Sequence, residues 1–396
     1  MLTKLRFLQG FLKNICMVVI NMIYLDNAAT TYPKPREVYE ALDFAHKNLS
    51  FNAGRGAYKK SRDCLLILES FRKGIATLCK GDYREVAILS SATEALNLII
   101  NGVDWKDGMN VYVTPFEHNA IIRPLYNIKK RVDIKIHVLP FNKATWEPEL
   151  TKIENSFALD NPDVVFSSQI SNVTGMLINY SAVFGVAKKY KCITVLDAAQ
   201  GFGVLEVNSI NTDFIVFAGH KSLYGPFGVG GFINLSNLRL NITKSGGNGS
   251  DTLNHNMPES GHERYETGSP NVPAVYGNLA GLKWLKNNNV EKHEVELTHY
   301  LIDSLESIEK VSIYAPNDKR KLFGIVSISV DGYTADEVGH ILADEFDICI
   351  RTGFHCAPLI HEFLNSTING GTVRISISGF SKKEDVDALI SALKTF

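Results

Sequence analysis

From about Val86 onward, short runs of consecutive apolar residues alternate with longer stretches whose apolar positions recur at helical spacing. The short runs EVAILSS, NVYVTP, DIKIHVLP, DVVFSSQ, CITVLDAA and TDFIVFAG are rich in β-branched residues and predict strands. TEALNLIING, HNAIIRPLYNIKKR and SAVFGVAKKY lie between them and carry amphipathic patterns. A strand that is apolar at every position is buried on both faces. The alternation therefore predicts an α/β fold, with a mostly parallel sheet flanked by helices.

After about Gly268 the texture changes. AVYGNLAGLKWLKNN and VEKHEVELTHYLIDSLESI predict long helices, and GIVSISVDG, TADEVGHILADEF, ICIRTG, TVRISIS and KKEDVDALISALKTF mix strands with helices. The expected organisation is a large domain over residues 22–283 and a smaller α+β domain over 284–396, with the N-terminal segment of the first packing on the second. Residues 1–21 are read as an extension outside the fold. Lys13 and Asn14 interrupt their apolar run, no small-residue cleavage site follows, and the stretch is too short and polar to span a membrane. The segment from about Lys244 to Asn271 is long and rich in Gly, Asn, Ser and His, as functional or mobile loops are.

Composition narrows the classes. The chain has 396 residues, 45% of them hydrophobic, enough for a large core. A net charge of -1, with no Lys/Arg run, gives no footprint for nucleic acid or an acidic membrane surface. The 6 cysteines form no CxxC and stand at no zinc-site spacing, so neither a metal nor a disulfide framework is expected. This usage suits a reducing, cytoplasmic compartment.

The candidate chemistry sits at predicted strand ends, where open parallel sheets bind ligands. Asp197 ends ITVLD, and Lys221 follows DFIVFAG by a few residues. A carboxylate and an amine aimed into one crevice admit two readings. One is a buried salt bridge, whose desolvation cost offsets its attraction. The other is a pyridoxal phosphate site, where the lysine forms a Schiff base and the aspartate keeps the pyridine nitrogen protonated. Thr93 opens a helix that could receive a phosphate, or is merely its N-cap. His118 could stack on a ring, or be an ordinary loop histidine. Gln200 could bond a phenolic oxygen, or simply start a helix. Taken together at successive strand ends, these residues favour the cofactor site.

YLDNAATTYPKP, SATEALN, EHNA, SNVTG, DAAQ, GHKSLYGPFGVGG, ETGSPN and RTGFHCA occur in that order. The set resembles the cysteine desulfurases of the class V aminotransferase group, from about Tyr24 to the end. The short RTGFHCA loop is more similar to their sulfur-mobilisation branch. The resemblance implies fold-type I architecture and pyridoxal 5'-phosphate. Lys221 would be the Schiff-base lysine, Asp197 the pyridinium partner, His118 the stacking ring and Gln200 the partner of the ring oxygen. Thr93 and His220 would hold the phosphate, and Ser269 would reach the phosphate of a second protomer in a homodimer. Asn172 and Arg374 would hold the substrate carboxylate. Cys356 would take sulfur from L-cysteine as a persulfide, leaving L-alanine, and pass it to an acceptor protein.

Plainer readings stand beside these. Arg374 could be an edge charge, Asn172 a turn residue and Cys356 a passive thiol, although neighbouring positive groups favour a thiolate in such a loop. Cys349, within apolar DICI, is read as the passive cysteine. One departure is Ala218, where the family carries Ser or Thr, so a phosphate donor is missing unless Ser222 or another hydroxyl substitutes. Selenocysteine lyase or another class V lyase or transaminase activity is the alternative with the same cofactor. A non-catalytic scaffold is the alternative without it.

Overall fold

The computed structural model describes residues 22–396 apart from residues 55, 237 and 250–252. The expectation for residues 1–21 lies outside the described residues. In chain order the first elements are β1 (Ile23–Tyr24), α1 (Arg36–Asn48), α2 (Lys59–Cys79), β2 (Val86–Leu89) and α3 (Ala92–Gly102). There follow β3 (Asn110–Val113), α4 (Asn119–Lys129), β4 (Lys135–Val138), α5 (Leu150–Leu159), β5 (Val164–Ser168) and α6 (Tyr180–Ala187). Next come β6 (Ile193–Asp197), β7 (Phe214–Ala218), β8 (Gly230–Asn234), α7 (Val272–Asn287) and α8 (Val290–Leu305). The last are β9 (Val311–Tyr314), β10 (Ile325–Val330), α9 (Ala335–Phe346), β11 (Ile348–Cys349), β12 (Arg351–Gly353), α10 (Pro358–Leu364), β13 (Thr372–Ser376) and α11 (Lys383–Leu393).

The large sheet runs β2-β8-β7-β6-β5-β3-β4. Its pairings are parallel except those of β8, which lies antiparallel to both neighbours. The continuous apolarity of its strands has a direct explanation. Along β3, Val111 and Val113 join one core and Tyr112 the other. Phe166, Val195 and Val216 share the first core with α3 and α4, while Val165, Leu196 and Ile215 face the second. These inner strands need apolar side chains on both faces because helices cover both.

The second sheet is antiparallel, in the order β12-β13-β10-β9. β13 lies inside it, so Arg374 is not on an edge; it is 1% exposed. The N-terminal β1 pairs in parallel with β11, and Asp26 bridges to Ser376. The expected boundary after residue 283 falls inside α7. Among the described residues no helix is long and apolar enough to cross a membrane, and no side-chain cluster could hold a metal ion.

One consequence of this topology positions the site. β2, β3, β5, β6 and β7 all point the same way, so the segments that follow them emerge on one edge of the sheet. Those strand ends and segments carry Ser91 and Thr93, Glu117 and His118, Asn172, Asp197 and Gln200, and His220 and Lys221.

Candidate active site

A cleft at this edge is lined by Thr93, His118, Asn172, Asp197, Gln200, His220 and Lys221, together with Ser91, Ser168 and Ala218. Seven of the ten sequence candidates thus share one pocket. Cys356 and Arg374 stand at its margin, and Ser269 is elsewhere.

Asp197 is buried at the last position of β6, where the Ala199 amide donates to its Oδ1 at 3.0 Å. Burial raises its carboxyl against the opposing effects of that bond and of Lys221. Lys221 has its ammonium pushed down to about 8, chiefly by burial and partly by Arg374 and Arg351, with Asp197 acting the other way. The two charges influence each other through space without a hydrogen bond. The salt-bridge reading of this pair is therefore not what the structure contains.

His118 caps α4, its Nδ1 accepting from the Ala120 amide at 3.0 Å. Burial and the surrounding cations lower it to about 4, so the ring is neutral at pH 7 and carries its proton on Nε2. His220 stacks on Phe227 with centroids 4.5 Å apart, and its buried Nδ1 has no hydrogen-bond partner. Gln200 donates from Nε2 to the Ala28 carbonyl at 3.0 Å. Helix α3 begins one residue before Thr93, and its N-cap is Ser91, whose Oγ accepts from the Glu94 amide. Thr93 is an exposed first-turn residue, so the N-cap alternative for it is corrected to Ser91. The Ala92 and Thr93 amides at this end have no acceptor within the helix, which favours an anion there.

The Cys356 loop is joined to the cleft by two hydrogen bonds. The Asn119 amide donates to the Cys356 carbonyl at 2.6 Å, and Asn172 Nδ2 donates to the His355 carbonyl at 2.8 Å. His355 and Cys356 both take left-handed backbone, with φ of 47° and 56°. The thiol is exposed, and Arg351 Nη2 lies 3.9 Å from its Sγ. Cys349 differs: burial raises its thiol, as expected for a passive cysteine.

Arg374 has its fork divided. Nη1 donates to the Asn172 carbonyl at 2.9 Å, Nη2 donates to Asp26 Oδ1 at 2.6 Å, and the buried Nε has no partner. Ser269 is exposed and lines a different groove, beside Arg72 and Glu266. Ser222 is turned away from the cleft's open side, donating to the Phe202 carbonyl at 2.8 Å, so it does not replace the hydroxyl absent at Ala218.

Three contributors escape sequence reasoning. Asp26 and Glu117 were within quoted motifs but had no feature to single them out. Lys34 is a third: its Nζ donates to the His220 carbonyl and to Thr31 Oγ1, each at 2.7 Å, and burial lowers it to about 7. The Thr31 amide and the Thr30 hydroxyl donate to the same carbonyl, at 3.2 and 3.0 Å. Together they strap the N-terminal segment over the loop bearing Lys221.

The cleft has the polarity of an elongated ligand that is anionic at one end and basic at the other. Free helix amides and the unpartnered His220 Nδ1 wait at the first end, and the Asp197 carboxylate at the second. Pyridoxal phosphate has that polarity, and the donor set fits it.

The aminotransferase class-V family profile matches residues 23–389. A probable cysteine desulfurase of Pyrococcus abyssi is 29% identical over 386 residues, spanning 94% of this chain and 94% of that protein. A cysteine desulfurase of Yersinia pestis is 27% identical over 387 residues, 94% of this chain and 93% of that one. The apo cysteine desulfurase from Thermococcus onnurineus NA1 superimposes with a TM-score of 0.86 at 26% identity, covering 94% of both chains. The Escherichia coli cysteine desulfurase CsdA gives 0.82 at 25% identity, again over 94% of each. With the match running through both sheets and every strand-end segment of the cleft, the chain belongs to the aminotransferase class-V family.

Proposed function

We propose that this protein is a pyridoxal-phosphate-dependent cysteine desulfurase that converts L-cysteine to L-alanine and retains the sulfur as a persulfide on Cys356. The observation that carries the reading is the exposed Cys356 thiol, pinned through its backbone to the segments of His118 and Asn172 at the margin of a cleft that holds Lys221 and Asp197. Desulfurase relatives spanning nearly the whole chain support it.

Lys221 would carry the coenzyme, Asp197 would pair with its ring nitrogen, His118 would lie on its ring and Gln200 would meet its phenolic oxygen. The α3 amides, Thr93 and His220 would hold its phosphate, and Ser269 would reach the phosphate of a homodimeric partner. When bound, the coenzyme supplies an electron sink that acidifies the α-hydrogen of an amino acid. The protein's own residues do the rest. Arg374, through its unpartnered Nε, and the second Nδ2 hydrogen of Asn172 would receive the substrate carboxylate. Lys221, with its lowered proton affinity, would be partly neutral near pH 8 and able to take the α-proton. The Cys356 thiolate would attack the substrate sulfur: the Sγ–S bond forms, the C–S bond breaks, and its electron pair stays on the carbon that becomes the alanine methyl. An acceptor protein or a reductant then removes the sulfur.

The test is a titration of the purified protein with L-cysteine under reducing conditions, following cofactor absorbance, alanine and sulfide. Alanine and sulfide in equal amounts are expected. Cys356→Ala should abolish sulfide release and keep the cofactor colour; undiminished sulfide release would overturn the nucleophile.

A further inference from the structure

Beneath the cleft lies a second buried carboxylate that the reaction above does not use. Glu117 is 0% exposed, in the segment after β3. The Ser168 amide donates to its Oε1 at 2.8 Å, the Thr114 hydroxyl to Oε1 at 2.5 Å, and the Ser168 hydroxyl to Oε2 at 2.9 Å. Ser168 ends β5 and lies in register with Asp197 at the end of β6. Glu117 follows β3 and Asp197 ends β6, the two strands that flank β5, so the end of β5 with Ser168 stands between the carboxylates, and Ser168 also lines the cleft.

A neutral amide could keep both donors on Oε1, from the Ser168 amide and the Thr114 hydroxyl, and donate to a rotated Ser168 hydroxyl, without the desolvation cost of a charged carboxylate. What a carboxylate adds is charge. Burial, and next to it the charge of Asp197, push Glu117 up to about 7 against the bonds from Thr114 and Ser168. Asp197 is the ionisable neighbour whose charge acts on it, and Lys221 in turn acts on Asp197. A cation placed on Asp197 cancels that repulsion and favours ionised Glu117. By reciprocity, ionised Glu117 strengthens the cation's hold on its proton.

We propose that Glu117 is a positioning residue for charge: acting through Asp197, it holds the proton on the nitrogen of the bound coenzyme ring. This rests on the reading that Asp197 meets that nitrogen. The experiment loads the wild type, Glu117→Gln and Asp197→Asn with pyridoxal phosphate labelled with nitrogen-15 in the ring, and follows the ring nitrogen resonance against pH. Gln is nearly isosteric and still accepts from the Ser168 amide.

The wild-type ring nitrogen should stay protonated through the neutral range, and E117Q should weaken its proton affinity, by less than D197N does because Glu117 acts at one remove. Ser168→Ala, which removes a donor to the Glu117 carboxylate, should shift it the same way by less, and serves if E117Q does not fold. A loss of protonation in D197N with none in E117Q or S168A overturns the role of Glu117 alone. No change in any variant, D197N included, overturns the placement of the ring on Asp197 and this inference with it.

Discussion

Arg374 Nη2 donates to Asp26 Oδ1 at 2.6 Å, joining residues 348 positions apart in the chain. Arg374 is 1% exposed, and its ion pair with Asp26 is the one it makes among the described residues. Removing the carboxylate leaves a buried guanidinium without its counterion. Asp26→Asn should therefore lower stability by about 3 kcal/mol, the lower end for a broken buried pair, since Asp26 itself keeps some contact with solvent. A denaturant midpoint that falls at unchanged slope would show it. An added amino-acid carboxylate should restore more stability to D26N than it adds to the wild type, because it supplies the missing charge.

Lys221 makes a pH prediction whose sign is fixed. Its folded pKa of about 8 lies below its ordinary 10.5. The unfolded chain thus holds more protons between those values, and stability rises with pH across that window. Below about 8 the full penalty for a buried ammonium is present. In the coenzyme-free protein, Lys221→Met should be more stable than wild type by about 2 kcal/mol at pH 7, a value reduced because part of the side chain faces the cleft. The difference should shrink from pH 8 upward and level off above 10.5. A difference independent of pH would show that the lysine is not titrating in this environment.

Why some of this was legible in the sequence follows from distance along the chain. The inner strands β3, β5, β6 and β7 were readable because both faces are buried and most positions are apolar, whereas β8, rich in glycine, gave no such run. Asp197 and Lys221 were readable because each closes such a run, and parallel strands bring their ends to one edge. The Asp26–Arg374 pair depends on β1 pairing with β11 and on Asp26 bridging to Ser376 of β13, which no local pattern encodes. The SSATE stretch offers hydroxyls at Ser90, Ser91 and Thr93, and only the backbone decides that Ser91 is the cap. Glu117 stands in the same motif as His118, but its meaning depends on the register of β5 with β6. Ser222 had the right chemistry and the wrong direction, since its hydroxyl faces Phe202.

Glu266 should prove to be a clamp on the long loop. Its Oε2 accepts from buried Arg72 Nη2 at 2.6 Å and its Oε1 from the Ile88 amide at 2.7 Å. One side chain thus ties the segment ahead of Ser269 to α2 and β2. Glu266→Ala strands a buried cation and a strand amide together and should cost about 3–5 kcal/mol. Faster hydrogen exchange at the Ile88 amide and faster proteolysis within residues 244–271 should accompany the loss. Destabilisation with neither local change would mean that the loop is held by other contacts.

Ala218 makes the last prediction. It is buried at the end of β7, in register with Gly230, and it borders the cleft. The missing Cβ of Gly230 would lie 2.5 Å from the Ser91 carbonyl carbon, so the start of α3 presses directly on this strand pair. A hydroxyl at 218 would therefore face the anion end of the cleft, a role Ser222 does not fill. A hydrogen bond to a charged group contributes about 1.5–3 kcal/mol, offset in part by desolvating the hydroxyl. Ala218→Ser should tighten pyridoxal phosphate binding about tenfold, about 1.4 kcal/mol, measured by equilibrium dialysis of the coenzyme against the two proteins. Pyridoxal, which lacks the phosphate, should bind both proteins alike. Equal tightening of both ligands would place the new hydroxyl's effect on the ring or the fold and remove the anion end from beside Ala218.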